Sequence, residues 1–243
     1  MTTFTDRLYQ AGRPIWEAQL NHSFVQGIAS GSLDPAAFEN WVRQEYLYLK
    51  EYSRVFAWGA AKSRELDAMR TYSELLYLIL DLEIGLHREY ATRFGVSYDE
   101  LESEEMWPTT QAYTDFLVRR AAEGDLPDLV SALLPCFWGY SYLAQSMARD
   151  GLPSDSRYAE WIQMYVSPDF TAGRNWLIDE MNRLVKGVPD SGRDRLVATF
   201  VTSSRYEWRF WEMCWRGETW ETSVQVPDPA SADLRPRRRT AHG

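Results

Sequence analysis

Histidine is almost missing from this 243-residue chain: only His22, His87 and His242 occur. A helical di-iron site of the bundle type needs carboxylates with two Glu-x-x-His pairs, and here Glu83 stands four residues before His87 instead. A haem would need an axial histidine near the N-terminal helix, where His22 is the sole candidate. The sequence therefore predicts no metal and no cofactor. Cysteine is as scarce. Cys136 and Cys214 lie far apart without paired spacing, which argues against a disulfide framework or a zinc site and fits a reducing cytoplasm. No window approaches the roughly 18 continuous apolar residues of a membrane span. The first residues, through Gly12, carry charge where a signal peptide needs an apolar core. No run of alternating β-branched residues is long enough for a strand.

What the chain does contain is acid and aromatic surface. Lysine and arginine total 26 against 35 aspartate and glutamate, a formal charge of -9 spread along the chain. That field disfavours nucleic acid and anionic membrane and favours neutral or cationic small ligands. The 11 Trp, 14 Tyr and 10 Phe make up 14% of the residues. Such side chains suit deep cores, subunit interfaces and flat-ligand pockets equally well, so composition alone leaves the three open.

Apolar residues recur at helical spacing almost from end to end, so the chain reads as all-α. Asp34-Pro35 supplies an N-cap and an N1 proline for a helix reaching Ala61 or Lys62. A second helix is predicted from about Leu66 to Phe94, closed by Gly95, with Ser97-Tyr98-Asp99-Glu100 forming a capping box after it. Trp107-Pro108 opens a helix around Tyr113 to Ala122, and Gly124-Asp125-Leu126-Pro127 opens another that ends near Asp150-Gly151. Further helices are expected over about Asp155–Val166, Asp169–Gly187 and Ser191–Gly217. The proline-rich and basic stretch at 223–243 has little to bury and is expected to be a disordered tail. Short connections and no repeat of solenoid period predict one domain over 1–222.

Within the Asp125 helix, Pro135 immediately precedes Cys136. An interior proline lacks the N–H that bonds to the preceding turn and costs roughly 3 kcal/mol. Strain beside a thiol points to a placed side chain, and Tyr140, one turn on, is within reach of the sulfur. Taken alone, a lone cysteine in an apolar helix is more often packed core than reactive. Two further faces bear on that choice. Glu45, Tyr48 and Tyr52 fall at i, i+3 and i+7 on a stripe otherwise apolar, and Glu207, Phe210 and Trp211 form a second acid and aromatic face. Arg209 and Glu212 point elsewhere, toward water. A carboxylate on an apolar stripe either finds partners or reaches solvent, and burial raises its pKa toward acid-base use. Aromatic faces with carboxylates between them suit a flat heteroaromatic ligand.

Five strings together carry a resemblance: His22 to Ile28, Gln44 to Leu49, Leu86 to Glu89, Leu134 to Tyr140 and Tyr206 to Trp211. In that order and spacing, from about Phe4 to Trp220, the chain resembles the TenA family, also called thiaminase II or aminopyrimidine aminohydrolase. The resemblance implies a haem-oxygenase-like all-helical bundle that binds no haem and assembles as a cytoplasmic homotetramer. It implies hydrolysis of a 4-amino-5-aminomethyl-2-methylpyrimidine to the hydroxymethylpyrimidine and ammonia in thiamine salvage, with cleavage of thiamine itself as a further activity. By motif, Cys136 corresponds to the nucleophile, Glu207 to the proton donor and Tyr48 to the residue that raises the reactivity of the cysteine. Tyr140 and Tyr165 correspond to substrate-binding tyrosines, and Tyr113 and Phe210 to the aromatic lining of the pyrimidine pocket.

Two positions depart from the family pattern. Glu45 stands where an aspartate usually follows the glutamine, and its extra methylene reaches about 1.5 Å further toward any ligand it meets. Ser23 replaces the usual proline after His22, in what reads as a helix-entry loop. Two other readings share the scaffold. One is an oxidase, against which the scarcity of histidine speaks, and the other is a non-catalytic pyrimidine-binding protein, which Glu45 would permit.

Overall fold

The computed structural model describes residues 2–220, and every regular element among them is helical. The expected tail at 223–243 lies outside the described residues. Eleven helices follow in order: α1 Phe4–Leu20, α2 Ser23–Ser30, α3 Pro35–Lys62, α4 Leu66–Leu78, α5 Ile84–Arg93, α6 Tyr98–Ser103, α7 Pro108–Glu123, α8 Leu126–Arg149, α9 Ser156–Tyr165, α10 Pro168–Leu184 and α11 Asp190–Arg216. A π turn, Ile79–Glu83, joins α4 to α5, and a 3-10 turn, Val185–Gly187, follows α10.

The boundaries follow from local chemistry. Asp34 accepts from the Ala36 N–H with Pro35 in the first turn. Ser97 and Glu100 cap each other, as do Asp125 and Asp128 at the start of α8. Gly95 adopts φ 75°, a left-handed conformation that glycine reaches without a Cβ penalty. His22 turns out to be the N-cap of α2, its Nδ1 accepting from the Phe24 N–H at 3.1 Å, so Ser23 occupies the first helical position. A proline suits that position because its N–H has no intrahelical partner, and for the same reason serine replaces it at little cost.

The predicted Asp169–Gly187 helix ends at Leu184 and closes in the 3-10 turn, while the predicted Leu66–Phe94 helix departs most from expectation, being split at Ile79–Glu83. Its inward residues are Leu75, Ile79, Glu83 and His87, each four residues from the last. At about 3.6 residues per turn such a stripe drifts around an α-helix, whereas the wider π turn between Ile79 and Glu83 takes up part of the drift and keeps the row facing the core.

Helix α8 is the hub, packed by α1, α3, α7, α9, α10 and α11. Pro135 is accommodated inside it. The turn before the proline is tied from both sides: Tyr52 on α3 donates to the Leu133 carbonyl at 2.8 Å, and Ser203 on α11 donates to that of Ala132 at 2.6 Å. The segment bearing Cys136 is thereby fixed to two neighbouring helices.

Candidate functional site

The eight side chains expected at a site converge. Glu45 and Tyr48 come from α3, Tyr113 from α7, Cys136 and Tyr140 from α8, Tyr165 from α9, and Glu207 and Phe210 from α11. All eight are buried, Cys136 being 6% exposed. The Tyr48 ring packs against Tyr113 at 5.1 Å between centroids, against Tyr52 at 5.2 Å and against Phe210 at 5.8 Å. Tyr140 sits edge-on to Tyr165 at 4.8 Å and packs on Trp211 at 5.2 Å. The result is a buried aromatic enclosure around one thiol and several carboxyl groups.

Among the described residues no lysine or arginine pairs with Glu45 or Glu207, although a cation normally accompanies a buried carboxylate. Glu207 is held by a short hydrogen bond from the Tyr113 hydroxyl, which also lies 3.0 Å from Ser203 Oγ. Burial outweighs that bond and pushes the Glu207 pKa up to about 8, so the group keeps its proton near neutrality. Glu45 lies further along the same enclosure. Burial, followed by the charges of Glu207 and Glu83, raises its pKa well above the usual carboxylate range. Its Oε2 has a long contact of 3.5 Å from the Tyr140 hydroxyl, and its Oε1 is buried with no hydrogen-bond donor among the described residues. An acceptor left in that condition costs stability unless a ligand supplies the missing donor.

The thiol of Cys136 is likewise pushed well above its ordinary pKa, by burial first and then by Glu207, Glu45 and Glu83. Of the main influences on it, only the Tyr48 hydroxyl favours the thiolate. That hydroxyl is buried beside the sulfur, without an acceptor of normal hydrogen-bond geometry among the described residues. Tyr140, expected from helical spacing to reach the sulfur, is instead turned toward Glu45, because its ring is wedged between Trp211 and Tyr165. The cysteine is thus a neutral thiol facing acids, and a positive charge nearby would favour its thiolate.

Sequence reasoning missed Glu83 as a member of this cluster. It is 7% exposed, accepts from the Tyr165 hydroxyl at 3.1 Å, and is raised by burial to about 7. The available signal was an acid inside the apolar run Leu82-Glu83-Ile84. Conversely, His87 is buried with neither ring nitrogen bonded at normal geometry among the described residues, packs on Trp41 at 4.8 Å, and is driven by burial down to about 3. It is neutral and supplies no positive charge. Arg209 is exposed as expected, but Glu212 is half-buried and bonds to His22 Nε2 at 2.9 Å, joining α11 to the start of α2.

Known proteins resemble this chain over nearly its whole length. The model of the TENA/THI-4/PQQC family matches residues 9–217. An aminopyrimidine aminohydrolase of Halalkalibacterium halodurans is 41% identical, the alignment covering 90% of this chain and 98% of that one. An aminopyrimidine aminohydrolase of Helicobacter pylori is 31% identical over 86% of this chain and 97% of its own. Among solved structures, a TenA homologue from P. horikoshii OT3 superimposes with a TM-score of 0.79 at 29% identity, covering 89% of this chain and 100% of that one. A domain from Shewanella denitrificans described as having a heme oxygenase-like fold gives a TM-score of 0.69 at 14% identity, with coverage of 88% and 92%. It shares the fold alone.

Proposed function

Because the chain belongs to the TENA/THI-4/PQQC family, we propose that it is an aminopyrimidine aminohydrolase, converting a 4-amino-5-aminomethyl-2-methylpyrimidine into the hydroxymethylpyrimidine and ammonia by cysteine nucleophilic catalysis. The observation that carries this reading is Glu207, buried beside the Cys136 thiol and keeping its proton to about pH 8. The names of the Halalkalibacterium halodurans and Helicobacter pylori relatives support the substrate class.

In this reading the pyrimidine lies among Tyr48, Tyr113 and Phe210, and its amino group donates to the unpartnered Oε1 of Glu45. Glu207 gives its proton to a ring nitrogen, supplying the positive charge that the thiol lacks. As the Cys136 sulfur bonds to the electron-poor ring carbon, the ring electrons expel the amine from the neighbouring methylene as ammonia, which takes up the proton the thiol has lost. Water then adds its oxygen to the methylene carbon. The sulfur–carbon bond breaks with its electron pair on sulfur, the proton from water restores the thiol, and Glu207 recovers its own proton from the ring. Tyr48 favours the thiolate, and Tyr113 orients the proton donor. Cleavage of thiamine is the same displacement with a thiazole as leaving group. A role in thiamine salvage, a cytoplasmic location and a homotetramer belong to this reading.

The test is release of ammonia from the aminomethylpyrimidine by the purified protein and by Cys136→Ala. A loss of about a thousandfold or more is expected in the variant, and a variant that keeps the wild-type rate overturns the cysteine mechanism.

A further inference from the structure

Beside the enclosure lies an apolar cavity of about 110 Å3, walled by Leu75, Ile79, Leu82, Phe137, Met164 and Phe170. Leu82 is 54% exposed, so the cavity borders solvent on that side. On the other side Phe137, the residue after Cys136, stacks on Phe170 at 4.6 Å. Two carboxylates line this cavity, the exposed Asp169 and the buried Glu83 of the cluster described above. Glu83 is close enough to Cys136 and Glu45 for its charge to act on both, and a chain of contacts runs from it through Tyr165 and Tyr140 to Glu45. Its only hydrogen-bond donor among the described residues is the Tyr165 hydroxyl, and the nearby His87 is neutral. The π turn keeps this acid pointing inward while Leu80 and Leu82 point out.

Glu83 is the buried one of the two carboxylates, and a buried carboxylate in the wall of a largely apolar cavity is a site for a compact cation with an alkyl neighbour. We propose that Glu83 determines specificity for the leaving group, its carboxylate receiving the ammonium of the aminomethyl substituent while Glu45 and Glu207 address the ring. The assignment rests on the functional reading above and adds to it a second recognition point, so that amine and ring are read by different acids. It divides substrates by charge: a leaving group protonated at neutral pH is favoured over a neutral one of similar size. Burial holds Glu83 near neutrality, where a cation completes its ionisation.

The experiment compares full-length wild type with Glu83→Gln and Glu83→Asp on two pyrimidines, the 5-aminomethyl compound and its neutral N-formyl derivative, by formation of the hydroxymethylpyrimidine. Gln preserves shape and can still accept from Tyr165. It should raise KM for the amine about tenfold or more relative to the amide, and Asp should recover part of that ratio. An equal change for both compounds overturns the assignment. In parallel, calorimetry on Cys136→Ala with and without Glu83→Gln measures binding of the aminomethyl and hydroxymethyl pyrimidines. A preference for the amine that shrinks about tenfold with Gln supports the Glu83 assignment even if wild type turns over neither substrate, which would overturn the functional reading alone. An unchanged preference, or no binding of either pyrimidine, overturns the assignment of Glu83.

Discussion

A carboxyl group that keeps its proton near neutrality is useful only while its surroundings stay dry. Glu207 owes its condition to burial acting against the hydrogen bond from Tyr113. In the proposed role of proton donor it would work below its pKa and fail above it, so kcat/KM for the aminomethylpyrimidine is expected to fall as pH rises through about 8. Glu207→Gln keeps the shape but has no proton to give. It should cost on the order of 10²–10⁴-fold in rate and remove that alkaline limb, and pH-rate profiles of the two proteins check both points. A profile for Glu207→Gln that still bends near pH 8 would assign the limb to another group.

At the scale of helices, the enclosure depends on how closely α3 and α4 approach. A Cβ built on Gly59 would lie 2.6 Å from the Tyr72 ring. Gly59→Ala therefore overpacks this contact and is expected to destabilise by about 1–3 kcal/mol, read as a lower denaturation midpoint with an unchanged slope. Much of this architecture was legible in the chain, because helix ends are written in residues with local chemistry: Asp34 before Pro35, Gly95 after Phe94, Asp125 before Leu126 and Pro127. The converging faces of α3 and α11 were legible for a related reason, since an acid repeating with aromatics at helical spacing marks what must be buried together. The π turn was not. It uses ordinary residues, Ile-Leu-Asp-Leu-Glu, and arises from the need to keep Ile79, Glu83 and His87 on one side of a packed helix. Glu83 was missed with it. The direction of the Tyr140 hydroxyl was also illegible, because helical spacing places it a turn from Cys136 while the packing of Tyr165 and Trp211 decides where it points.

For the whole molecule, the buried ionisable groups make stability depend on pH in opposite senses. Burial raises Glu83 and Glu207 from a usual 4.5 to about 7 and about 8, so the folded state binds more protons than the unfolded one across that window. Stability from these two groups is greatest in acid and declines as pH rises from about 4.5 through about 8. Burial lowers His87 from 6.5 to about 3, so its contribution declines as pH falls below 6.5. Calorimetric Tm is therefore expected to drop between pH 6 and 8, with Glu207→Gln flattening that slope and removal of the His87 imidazole easing the acid side. A Tm that climbs through the same interval would mean that the two acids are ionised in the folded protein. The thiol at the centre answers to the same enclosure. Peroxides and alkylating agents attack the anion of cysteine, and Cys136 is buried and held as the neutral thiol. On the proposed mechanism the protein thus carries its own safety catch, slow toward oxidants until the substrate arms the thiol.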